Sequence, residues 1–157
     1  MKYVLAASSD RLVRECRNIL GRVPGIEFRV GSVPGTGWDC DAAVLNSPLA
    51  YERYGGSPQI GNVQVLINDR GDGAPGAILA TAPISAESTV ADPSDEEIEG
   101  YVFDTLDSCV LAFVRRFPNR AEEGRILVHL EGAGIDRRNI GVPLKGVLRF
   151  FEVSQGA

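Results

Sequence analysis

The chain has 157 residues, 16 basic and 21 acidic side chains, a net charge of −5, 44% hydrophobic and 24% charged residues. That length and apolar content suit one domain, residues 1–157, with a full core, and exclude a chain that stays disordered. No apolar run approaches the ~20 residues of a bilayer span, no leader pattern opens the chain, and the acidic balance disfavours general binding to nucleic-acid phosphates. The expected setting is the cytoplasm, with no membrane partner. Three cysteines without CxxC spacing and one histidine argue against a zinc cluster or disulfide framework, so no metal and no cofactor are expected. Only Lys2 and Lys145 are lysines. The arginine bias suits a GC-rich bacterial genome.

Strand and helix patterns alternate along the chain. Residues 2–7 form an apolar strand. Ser9 and Asp10 can cap a helix whose Leu12, Cys16, Ile19 and Leu20 share a stripe, ended by Pro24 and Gly25. Residues 26–30 alternate as a half-buried strand, and the Gly- and Pro-rich residues 31–38 read as a loop. Residues 42–45 are a buried strand, followed by Asn46, Ser47 and Pro48 and a short helix over 49–54. Residues 63–67 and 76–82 are further strands. A long helix opens near Asp92 with Ser94 and Glu97 as a capping box, and Pro118 stops it. Residues 125–130 are a buried strand. A last helix covers much of 137–153, weakened by Gly141, Val142 and Pro143. The fold class is α/β, a single three-layer α/β/α domain with a mixed, mainly parallel sheet.

In such sheets ligands sit beyond the carboxyl ends of strands. Two of those ends carry glycines: Asn46 running on to Gly55 and Gly56, and Leu130 running on to Gly132, Ala133, Gly134 and Ile135. Glycines let backbone N–H groups approach a phosphate closely. The competing reading is that both are plain turns.

The order of these pieces resembles a macro domain. Gly31-Ser32-Val33 stands where that family has G-D-I, and residues 41–48 stand where it has D-A-I-V-N-A-A-N. Gly55-Gly56 matches its first phosphate loop and residues 132–135 the second. The resemblance implies a macro-like fold lacking the family's final strand and helix. It also implies an ADP-ribose or related nucleotide-diphosphate site, with Ser32, Asn46, Gly55, Gly56, Gly132, Ala133, Gly134 and Ile135 as ligand-binding positions. Some members hydrolyse ADP-ribosyl linkages and others only bind. The family's adenine-contacting Asp corresponds to Ser32 and its second Asn to Pro48, which ranks binding above hydrolysis. A degenerate scaffold for a protein partner is the third reading.

Catalytic candidates are Asn46, His129 and Glu131. His129 and Glu131, two residues apart, can share a strand face as a base and its partner. The alternative for His129 is a satisfied core histidine, and for Asn46 an Asx turn. Residues 69–73 read as a hydrophilic loop rather than a calcium loop. Cys40, without an obvious basic neighbour, reads as unreactive. Arg137 and Arg138 can aid an anionic ligand beside the second glycine loop.

Overall fold

The computed structural model describes residues 1–57, 63–83, 94–135 and 140–156. Six strands form one sheet: β1 (Lys2–Ala7), β2 (Ile26–Val30), β3 (Ala42–Asn46), β4 (Gln64–Ile67), β5 (Ala77–Thr81) and β6 (Arg125–His129). Their order across the sheet is β2-β1-β6-β3-β5-β4, all parallel except β4, which runs antiparallel to β5. The central strands carry unbroken apolar runs because helices cover both faces. Ala42 to Leu45 and Ile126 to Val128 are all buried.

One face of the sheet packs under α1 (Asp10–Leu20), α4 (Asp95–Arg116) and α5 (Gly141–Gly156). There Val13, Cys16, Leu106, Phe113, Leu144 and Phe151 meet Tyr3, Leu5, Val44 and Leu79. The opposite face carries Val4, Ala43, Leu45 and Ile78 under α2 (Val33–Gly37) and α3 (Ser47–Tyr54). The result is the three-layer α/β/α arrangement. Helices on the first face carry β1 to β2 and β5 to β6 in one direction, and α2 on the second carries β2 to β3 in the other, as right-handed crossovers require.

Several boundaries differ from the sequence expectation. Residues 31–38 are not simply a loop, because Ser32 caps the short helix α2. Its side chain accepts from the Gly35 N–H at 3.2 Å, and Pro34 sits in the first turn, where no N–H is needed. The same logic lengthens α3, which starts at Ser47 with Pro48 inside its first turn and Asn46 as cap. Gly141, Val142 and Pro143 do not weaken α5; they are its first turn. The capping box forms as expected, with Ser94 accepting from Glu97 N–H at 3.1 Å and Glu97 accepting from Ser94 N–H at 3.3 Å. Asp92, Pro93, Arg137 and Arg138 lie outside the described residues.

Candidate functional site at the carboxyl edge

Because five strands are parallel, their carboxyl ends share one edge: Val30, Ala7, His129, Asn46 and Thr81. β6 and β3 are neighbours there, and their following helices leave toward opposite faces. Such a divergence is a topological switch point, the place where open α/β sheets form a ligand crevice. Ser32, Asn46 and residues 132–135 all belong to this edge. Gly55 and Gly56 do not. They follow α3, whose last turn reaches the other end of the sheet, where the Tyr54 hydroxyl donates to Asp72 in the β4–β5 connection at 2.8 Å. A Cβ on Gly56 would lie 3.0 Å from Leu66, which pairs with Ile78 in mid-sheet. The two glycine-bearing segments therefore do not face each other across one diphosphate.

The second glycine loop is closed on itself. The N–H of Gly132 donates to His129 Nδ1 at 3.0 Å. Those of Ala133, Gly134 and Ile135 donate to the carbonyls of His129, Glu131 and Leu130 at 2.7, 3.1 and 2.9 Å. Its glycines answer to packing. A Cβ on Gly132 would stand 3.0 Å from both Leu45 and Val33, and one on Gly134, at φ +80°, would stand 2.7 Å from Pro83 Cβ. The carbonyl of Gly132 accepts both the Asn46 backbone N–H at 2.7 Å and the Asn46 Nδ2–H at 2.9 Å. Asn46 Oδ1 in turn accepts from Leu49 N–H at 3.1 Å, capping α3. Asn46 thus ties β3, α3 and the β6 loop together, and it does make the Asx-type cap.

His129 is 4% exposed, with Nε2 2.7 Å from the Gly31 carbonyl. Nδ1 accepts an amide proton, so Nε2 carries the ring hydrogen and donates it to Gly31, and both nitrogens are engaged. Glu131 lies beyond the end of β6, and its carboxylate accepts from the Ser8 N–H at 3.1 Å through each oxygen. The His129–Glu131 pairing expected of a shared strand face is not made, because the chain turns after His129. Ser32 spends its hydroxyl on the cap of α2.

On the α2 face, running from Arg29 near the carboxyl end of β2 to Asp39 and Arg125 at the amino edge, lies a polar cluster the sequence did not signal. Arg29 donates to Asp39 Oδ2 at 2.9 Å and to the Thr36 carbonyl at 2.7 Å, and Arg125 donates to Asp39 Oδ2 at 2.6 Å. The Arg29 guanidinium holds the Asp39 carboxyl down at about 2. Asp72 is held at about 2 as well, first by Asn68 and then by the Tyr54 hydroxyl. It makes the hydrophilic residues 69–73 an ordered turn. Burial first, and then the Asp39 charge, push the Cys40 thiol up to about 12, despite Arg29 and Arg125 beyond that carboxylate. It is unreactive, although basic groups are nearer than its sequence neighbours suggested. Among the described residues no three His, Cys, Asp or Glu side chains come together as a metal site. Two hollows of about 700 and 270 Å³ lie toward this amino end, one beside Ile19, Val23 and Leu148, the other beside Asp41, Phe113 and Arg120. Neither touches a residue singled out for binding.

No helix is long and apolar enough to cross a membrane among the described residues. Comparison with protein-family models, curated proteins and solved structures finds no match.

Proposed function

We propose that the chain is a macro-like binding module rather than an enzyme, taking ADP-ribose or a related nucleotide diphosphate at the carboxyl edge between β6 and β3. The observation that carries this reading is the switch point itself, where Asn46 and Gly132 meet between diverging helices. The strand order adds support. A strand after α5, reached by a right-handed crossover on the face of α1 and α4, would fall beside β6 on the side away from β3. β1 holds that position. In this reading β1 and α1 stand in for the final strand and helix that the macro resemblance lacks. Binding ranks above hydrolysis because Asn46, His129 and Glu131 each have a structural duty, and a general base needs a free lone pair near the reacting group.

The manner of binding differs from a two-loop amide cradle. Gly55 and Gly56 lie too far along α3, and an anion at residues 132–135 must compete with the loop's own acceptors. The scaffold reading is favoured by that closed loop, and one experiment separates the two. Calorimetric titration with ADP-ribose, ADP and NAD should show binding that perturbs the backbone amide resonances of Gly132 and Gly134. Ser32→Asp keeps a good helix cap and restores the carboxylate of the macro pattern. It should leave stability unchanged and tighten adenine nucleotides by roughly tenfold or more, the worth of one charge-assisted hydrogen bond. No heat and no amide shift for any of these ligands, in wild type and in Ser32→Asp alike, would move the assignment to a protein-binding scaffold.

A further inference from the structure

We propose that two copies of this chain associate through β2, edge to edge, joining their sheets into one. β2 is the outermost strand, and among the described residues no strand pairs with its free side. The Gly31 N–H donates to the Ala7 carbonyl at 2.9 Å. Alternation along a strand then turns the amides of Glu27 and Arg29 toward β1 and those of Phe28 and Val30 outward. A two-fold axis at Phe28 therefore meets a residue whose N–H and C=O both face the partner, so that Phe28 and its symmetry mate form a hydrogen-bonded pair.

The side chains suit that axis. The strand reads Ile26-Glu27-Phe28-Arg29-Val30, so antiparallel pairing about Phe28 sets Glu27 opposite Arg29 of the second copy, twice. It also sets Ile26 opposite Val30, twice. Ile26 and Phe28 pack on the α1 face, whereas Arg29 reaches Thr36 and Asp39 under α2. Both charged pairs thus fall on one face and both apolar pairs on the other. Val30, 48% exposed on an otherwise packed strand end, would be covered. Charged residues on an edge strand ordinarily deter pairing. Within one copy Arg29 already donates to Glu27 at 2.7 Å, so the two-fold register brings two such in-strand pairs side by side with opposite signs facing and like charges never directly opposite, and this complementarity selects a second copy over an unrelated extended peptide. Five residues a side fall short of the ~1,000 Å² of a tight interface, so the dimer is weak and concentration-dependent.

Light scattering after size exclusion, over a dilution series of the full chain, should show a mass rising toward twice 16.8 kDa. Val30→Pro removes an outward N–H while leaving the bonds to β1 in place, and should weaken the dimer at least about tenfold. Glu27→Arg, which sets like charges opposite each other twice, should do the same without touching the backbone. Circular dichroism melts of both variants check that the fold is kept. A wild-type chain that stays monomeric at the highest concentration would overturn the proposal. So would a dimer that survives in the folded Glu27→Arg variant.

Discussion

His129 shows how a single side chain can look catalytic and be structural. It is the one histidine in the chain, it sits at a strand end beside glycines, and an acidic residue follows two positions later. Each of those features invites a general base, but its two nitrogens bridge the β2 loop to the β6 loop through Gly31 and Gly132. Replacing it with alanine orphans the half-buried Gly31 carbonyl and the buried Gly132 N–H, at about 1–3 kcal/mol each, so His129→Ala should lose roughly 2–6 kcal/mol of stability in urea unfolding. His129→Asn keeps an acceptor near the position of Nδ1 and should recover part of that loss. If His129→Ala is as stable as wild type, the bridge has been misassigned. The partner that decides this lies 98 positions away in sequence. Local pattern carries no signal of such a contact, so the sequence could offer a satisfied core histidine and an Asx turn at Asn46 as readings, both of which the structure shows, without naming the partners.

The elements themselves were far more legible, because their signals are local. β3 and β6 are short apolar runs bounded by turn residues, and α4 announces its start with Ser94 and Glu97. The short helix α2 escaped notice because three of its five residues are Gly or Pro; what makes it helical is the cap at Ser32 and the packing of Gly37 against Leu127. Which helices touch was also hidden. α4 and α5 approach so closely at Gly146 that a Cβ there would stand 2.7 Å from the Glu99 carbonyl oxygen and 2.8 Å from Val102 Cβ. Both neighbours are held near rigid backbone, so a side chain can be admitted only by moving a helix. Gly146→Val should therefore cost about 1–3 kcal/mol from overpacking, offset only by the few tenths by which valine is a better helix former than glycine. The check is a thermal or urea melt against Lys145→Ala, its exposed neighbour, which should shift little. Equal effects from the two substitutions would mean that the helices have room between them.

At the scale of the whole molecule, the two edges of the sheet divide the work. The carboxyl edge is closed by hydrogen bonds around Asn46, His129 and Gly132, whereas the amino edge is held by charge, with Asp39 between Arg29 and Arg125. The Asp39 carboxyl titrates at about 2 when folded against an ordinary value of 3.8. A folded value below the unfolded one means the stabilisation is present in full above about pH 4 and is lost as pH falls toward 2. Asp72, also at about 2, adds to the same window. Unfolding free energy should thus drop by about 2 kcal/mol for Asp39 alone over that interval, and Asp39→Asn should flatten the profile while lowering the plateau at neutral pH. A wild-type curve that is flat from pH 5 to about 2 would contradict the ion-pair account.

The place of β6 has a consequence for how the chain is made. Among the described residues β2 and β1 form one half of the sheet, β3, β5 and β4 the other, and β6 alone joins them, emerging from the ribosome after those five strands. Until Arg125–His129 is synthesised, β1 and β3 each present an apolar edge with unpaired backbone groups, and the long helix α4 has only half its cover, since α5 follows later still. Nascent chains of this fold therefore pass through a stage with two separate half-sheets, with the strand edges that invite aggregation left open. Folding of the sheet is completed by one insertion of a strand that follows the other five in the chain, so the burden on cellular chaperones falls before that strand appears rather than after it.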